Sequence, residues 1–147
     1  MPGEPFDNRF IAFEILGDIY RKMENYETAL EKYKKAIEVK SLPGRTTAPI
    51  YYSELVICLN KVELFGEVEE LLIRETMDID FPISKYKINA MLAIINKQKN
   101  DLEKARRYKK LAEDAAGATK TVFRWHRKSG LVEDRDIILD KLLRKIK

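Results

Sequence analysis

The chain has 147 residues, enough for one domain with its own core and too few for two of ordinary size. Lys and Arg number 28 against 24 Asp and Glu, so a formal charge of +4 rests on a dense mixture of both signs. A 45 % apolar fraction argues against disorder, one Cys leaves no intramolecular disulfide, and one Cys with one His leaves no His/Cys-rich metal site.

The longest strictly apolar run, residues 90–95, has six residues, whereas a membrane-spanning helix needs about 20. The opening Met-Pro-Gly-Glu-Pro has neither the basic start nor the apolar stretch of a signal peptide. These features imply a cytoplasmic chain without a membrane partner.

In chain order, Phe13, Leu16, Gly17 and Tyr20 open a pattern of three- and four-residue steps. Tyr26, Ala29, Leu30, Tyr33, Ala36 and Ile37 continue it, with Asn25 placed to cap the second helix. Residues 41–49 collect Pro, Gly and Thr and read as a loop. Further runs follow around Leu55–Leu59, Val68–Leu72, residues 90–95 and Ala105–Ala112. Asn100, with Glu103 three residues on, approaches a capping box, and Gly117 suits a helix end. The pattern predicts six helices to about residue 116, with breaks near 24, 41–48, 62–66, 77–84 and 98–100. Nothing alternates long enough for a sheet. The fold class is all-α.

Phe13-x2-Leu16-Gly17-x2-Tyr20 followed by Ala29-x3-Tyr33-x2-Ala36 resembles the tetratricopeptide repeat (TPR) signature, with Phe and Tyr where that family has Trp and Phe. The small Gly17 and Ala29 let two antiparallel helices approach, and Leu16, Tyr20, Tyr33 and Ala36 fill their seam. Two weaker copies follow: Leu16 to Ala29, Leu55 to Val68 and Leu92 to Ala105 each span 13 residues. The copies are 39 and 37 residues apart, against a family period of about 34. Asn89, Asn96 and Lys109 depart from the family's aromatic positions. The resemblance implies a single domain over residues 1–147, an antiparallel helix-hairpin solenoid with repeats at about 10–41, 49–78 and 86–116.

Residues 1–117 hold 19 basic and 20 acidic groups, and residues 118–147 hold 9 and 4, so the basic excess lies in the tail. There Ile138, Leu139, Leu142, Leu143 and Ile146 share one helical face, with acids before them and bases after, as a helix dipole favours. The amphipathic helix reads as a cap on the apolar end of the stack, or as a docking or self-association element.

No Gly-rich phosphate loop and no G-x-S-x-G occurs, and His126 stands among Arg124, Arg127 and Lys128. The chain reads as a non-enzyme without cofactor. Cys58, between Ile57 and Leu59, reads as a small packed residue. Lys120, Phe123, Arg124, Trp125, Arg127 and Lys128 interleave cations with rings, a secondary basic-aromatic patch able to stack bases and hold phosphates. Packing of the rings under the last hairpin explains the same residues, and nucleic acid is the weaker reading.

The TPR resemblance places a partner-binding groove on the first helix of each repeat. There it assigns Glu14, Asp18, Arg21, Glu54, Ile57, Asn60, Lys61, Met91, Ile94 and Lys97. Such a wall is acidic at one end, apolar in the middle and basic along one rim. Solvated helix faces explain the charged members, whereas Ile57 and Ile94 call for a filler: the C-terminal helix, another subunit or a ligand. A chaperone-type grip on a C-terminal carboxylate is disfavoured, because Glu14, Asp18 and Glu54 would repel it and Lys87 alone fits. The expected function is non-catalytic binding of a protein or peptide. The alternatives are a regulator with a nucleic-acid-binding tail and a homo-oligomeric scaffold.

Overall fold

The computed structural model describes residues 8–39, 46–76, 81–118, 132 and 137–147. They form helices α1 (Arg9–Lys22), α2 (Tyr26–Glu38), α3 (Ala48–Cys58), α4 (Phe65–Thr76), α5 (Pro82–Gln98), α6 (Leu102–Ala116) and α7 (Ile137–Arg144). A 3-10 turn at Val62–Leu64 leads into α4, and no strand occurs among the described residues. Among the described residues the all-α reading holds, with the expected breaks near 24 and 98–100. The helices depart from two others: α3 already ends at Cys58 and α4 starts at Phe65, inside the expected 62–66 break, and α5 starts at Pro82, inside the expected 77–84 break. Residues 41–45 and 77–80 lie outside the described residues. No helix among the described residues is long and apolar enough to cross a membrane. The chain divides into two compact units, Met1–Leu55 and Val56–Lys147, with the boundary inside α3.

In the first unit, α2 buries Ala29, Leu30, Tyr33 and Ala36, the positions one helical face presents, and packs along α1. Gly17 makes that approach possible. A Cβ on it would lie 2.5 Å from both Cδ1 and Cε1 of the fully buried Tyr33 ring, closer than carbon atoms can come. The expected seam is corrected at Leu16, which is 37 % exposed. On α1 the residue beside Gly17 points away from Tyr33, and Ile11, Ile15, Ile19 and Met23 are exposed as well.

Two polar ties join α1 to the start of α3. Thr46 Oγ1 donates to Glu14 Oε2 at 2.9 Å and Thr47 Oγ1 donates to Glu14 Oε1. Seven residues further along both segments, Arg21 Nη2 donates to Glu54 Oε1 at 3.0 Å. Both contacts advance in the same direction by about two turns, so α1 and α3 run parallel.

In the second unit α5 is the centre: every side chain from Ala90 to Asn96 is buried, and α4, α6 and α7 all pack against it. Asn96 satisfies its buried amide on its own helix, donating to the Leu92 carbonyl at 2.8 Å. Glu69 of α4 pairs with Lys99. From α7, Leu139, Leu143 and Ile146 are buried, whereas Ile138 is exposed and Leu142 half-buried. The expected five-residue apolar face is thus narrower, because an eight-residue helix on one neighbour covers only about one side of its circumference.

The same turn closes α1, α3 and α5. Glu24, Asn60 and Asn100 are the non-glycine residues with positive φ, at 59°, 53° and 64°. Each donates its N–H three residues back, to Arg21, Ile57 and Lys97, and the next residue donates five back, to Tyr20, Val56 and Asn96. This is the double hydrogen-bond closure of the Schellman type. The following residues, Asn25, Lys61 and Asp101, share φ near −80° to −90° and ψ of 73° to 79° before the next helix begins. Among them only Asp101 caps with its side chain, accepting from Lys104 N at 3.2 Å. Asn25 makes no side-chain cap, and Asn100 is the left-handed turn residue one position before the cap.

These turns lie 36 and 40 residues apart, a register that differs by three residues in the middle segment from the apolar match of 39 and 37. Residues three apart share a helix face, so apolar type alone does not separate the two registers. In the turn register Gly17 aligns with Ser53 and Ala93, Ala29 with Phe65 and Ala105, and Ala36 with Leu72 and Ala112. All nine are buried. Ser53 is tolerated there because its hydroxyl donates to the Pro49 carbonyl of its own helix at 2.6 Å.

Gly17→Ala should lower stability by about 1–3 kcal/mol in urea unfolding, despite alanine's better helix propensity. The same substitution should cost much less in a Tyr33→Leu background, where no ring meets the new methyl. A cost unchanged in that background would refute the contact. Glu24→Gly, which removes the Cβ from a left-handed backbone, should raise stability by about 0.5–1 kcal/mol, whereas Lys110→Gly in the middle of α6 should lower it by about as much. Thermal melts of the two variants check both signs.

Candidate functional site

The groove residues assigned from sequence fall into two groups, one in each unit. In the first unit Arg21 and Glu54 bond each other, while Glu14 and Asp18 are held by other residues of the unit. Glu14 accepts from Thr46 and Thr47, holding the start of α3. Tyr33 Oη donates to Asp18 Oδ1 at 2.6 Å. Arg21 bonds Glu54 and lies over the Tyr51 ring, 5.9 Å from its centroid. Tyr51 in turn tilts against Tyr33, with centroids 6.1 Å apart.

The electrostatics follow from this packing. Burial keeps the Tyr33 phenolate from water, and the Asp18 carboxylate beside it disfavours the anion further, so the phenol's pKa rises well above its ordinary value. Burial works against the Arg21 charge, but the charge and hydrogen bond of Glu54 outweigh it and hold the guanidinium's pKa above its ordinary value. These carboxylates therefore join helices within the unit. Sequence reasoning found the residues and missed their mutual partners, because no spacing rule links Arg21 to Glu54, 33 residues away.

In the second unit Ile57, Met91 and Ile94 are buried, at 3 %, 0 % and 9 % exposure, as parts of the core. Asn60 is the left-handed residue of the turn after α3 and lies outside the helix, with Lys61 after it, half-buried. Lys97 is exposed at the end of α5, and its Nζ donates to the Lys145 backbone oxygen at 3.0 Å. Two cations of α6 extend the contact. Lys109 Nζ donates to Ile146 O at 2.5 Å, and Arg106 Nε donates to Lys147 O at 2.8 Å.

Three consecutive backbone oxygens beyond α7 are thus held by three cations, while Leu139, Leu143 and Ile146 are buried beside α5. Cations at the carbonyl end of a helix complement its dipole. Of the three donors, Lys97 belonged to the expected groove. Arg106 and Lys109 did not, and their only sequence signal is the cation density of α6. The secondary patch, Lys120, Arg124, Trp125, Arg127 and Lys128, lies outside the described residues, as does His126. Cys58 is half-buried.

The raised Tyr33 pKa sets an alkaline pH dependence. An unfolded tyrosine loses its proton near pH 10, while the folded one keeps it, so the unfolded state gains stability as pH climbs past 10. Stability should be full below that value and fall above it. Tyr33→Phe should flatten this part of the alkaline limb in urea titrations between pH 9 and about 11.5. An alkaline limb identical in the two proteins would contradict the buried phenol. Compared with known proteins, the chain matches no protein family, no curated sequence and no solved structure.

Proposed function

We propose that the chain is a TPR-like helix-hairpin repeat protein that binds a protein or peptide, without catalysis or cofactor, on the face of its first helices. The observation that carries the binding reading is the seating of α7. A helical segment already lies on α5 with one apolar side buried and its trailing backbone oxygens held by side chains of α5 and α6. Recognition of a helix by its apolar side and its main chain is a common mode of peptide capture.

The repeat reading is supported by the recurring left-handed turn at Glu24, Asn60 and Asn100 and by buried residues at equivalent places in each copy. The parallel run of α1 and α3 adds to it, since successive first helices of a hairpin stack run side by side in one direction. The capping role of α7 is kept in this reading: its apolar side covers α5, and the two roles share one contact.

Selection of a helical peptide library on the intact chain tests the proposal. Enriched peptides should lose about tenfold or more in affinity for Lys97→Glu, a loss of about 1.4 kcal/mol, and none for Glu70→Lys on α4. No enrichment, or binders indifferent to Lys97→Glu, would overturn it.

A further inference from the structure

The contact between α7 and the α5–α6 pair fits in shape and conflicts in charge. Shape is served by Leu139 and Leu143, one turn apart on α7, and by Ile146 beyond its end, all three buried. Direction is served by Lys97, Lys109 and Arg106 on three successive backbone oxygens. Yet residues 82–116 carry nine Lys and Arg against four Asp and Glu, and residues 137–147 carry four against one. That one carboxylate, Asp140, is bonded to Arg144 at 2.8 Å. Lys145 and Lys147, both exposed, branch from the very residues whose oxygens the three cations hold. Positive side chains are therefore brought beside a positive surface, where opposite charge would be attracted.

The donors are also underused. Lys97 and Lys109 each place a full positive charge on a neutral carbonyl oxygen, whereas a carboxylate on the same donor makes a hydrogen bond roughly twice as strong. Resting on the peptide-binding reading above, we infer that this face is the receptor for an amphipathic helix of another protein whose last turn and following residues are acidic. The chain's α7 is its intramolecular occupant, of the right shape and the wrong charge. Such an occupant can be displaced. An eight-residue helix is too short to persist alone, and its hold depends on three apolar side chains and on attachment to the same chain. Attachment supplies an effective concentration on the order of millimolar, which a free partner must outmatch. Carboxylates on Lys97, Arg106 and Lys109 provide the means.

Two fluorescent peptides of residues 137–147 test this on the intact chain, one with the native sequence and one carrying Glu at 141, 144, 145 and 147. Anisotropy should show the acidic peptide binding at least tenfold tighter than the native one, with affinity falling steeply as salt rises. Hydrogen exchange should show α7 amides losing protection as the acidic peptide binds. Full-length Leu143→Asp, which loosens the occupant, should bind the acidic peptide tighter still. Lys97→Glu/Arg106→Glu/Lys109→Glu should lose it and prefer the native peptide. Equal binding of the two peptides, binding that leaves α7 protected, or no binding to either wild type or Leu143→Asp would overturn the proposal. If library-selected peptides still bind through Lys97 in that event, the peptide-binding reading stands and only the acidic partner falls.

Discussion

The first unit depends on the seating of the Tyr33 ring against the bare backbone of Gly17. Because Gly17 has no Cβ, α2 comes close enough for the ring to lie against α1, and the ring's far end then reaches Asp18 and Tyr51. Close packing makes this seat intolerant of even one added carbon. It also explains the polar neighbours. A buried phenol needs an acceptor, which Asp18 supplies, and a cation near Tyr51 is balanced by the buried Glu54. A single absent methyl thus sets the positions of side chains from three helices.

A second constraint recurs along the chain. Helices α1, α3 and α5 each end on a non-glycine residue in the left-handed region, an arrangement that costs about 1–2 kcal/mol for a residue with a Cβ. Two of the three are asparagines, whose short polar side chain lowers that cost, and the third is Glu24. The turn satisfies two carbonyls that the helix end leaves open and starts the next helix after a single intervening residue. Short links of this kind keep consecutive helices antiparallel neighbours, as α1 with α2 and α5 with α6.

The second unit applies the same economy to its tail. Lys97, Arg106 and Lys109 bond the backbone oxygens of the three residues that follow α7. Met91 and Ile94 are buried on α5, against which α4, α6 and α7 all pack.

By itself the sequence determined the helical class, the breaks near 24 and 98–100 and the small residues of the first seam. These depend on periodicity, turn chemistry and residue volume, which are local and readable. It also singled out Glu14, Asp18, Arg21, Glu54 and Lys97 as positions where charge matters. Only the tertiary structure decided their partners, since the distance from Arg21 to Glu54, or from Lys97 to Lys145, is set by how helices pack and leaves no mark at a fixed sequence spacing. It likewise decided where α3 ends. Apolar residues three apart are interchangeable on a helix face, whereas the left-handed φ of Asn60 fixes where that helix must end.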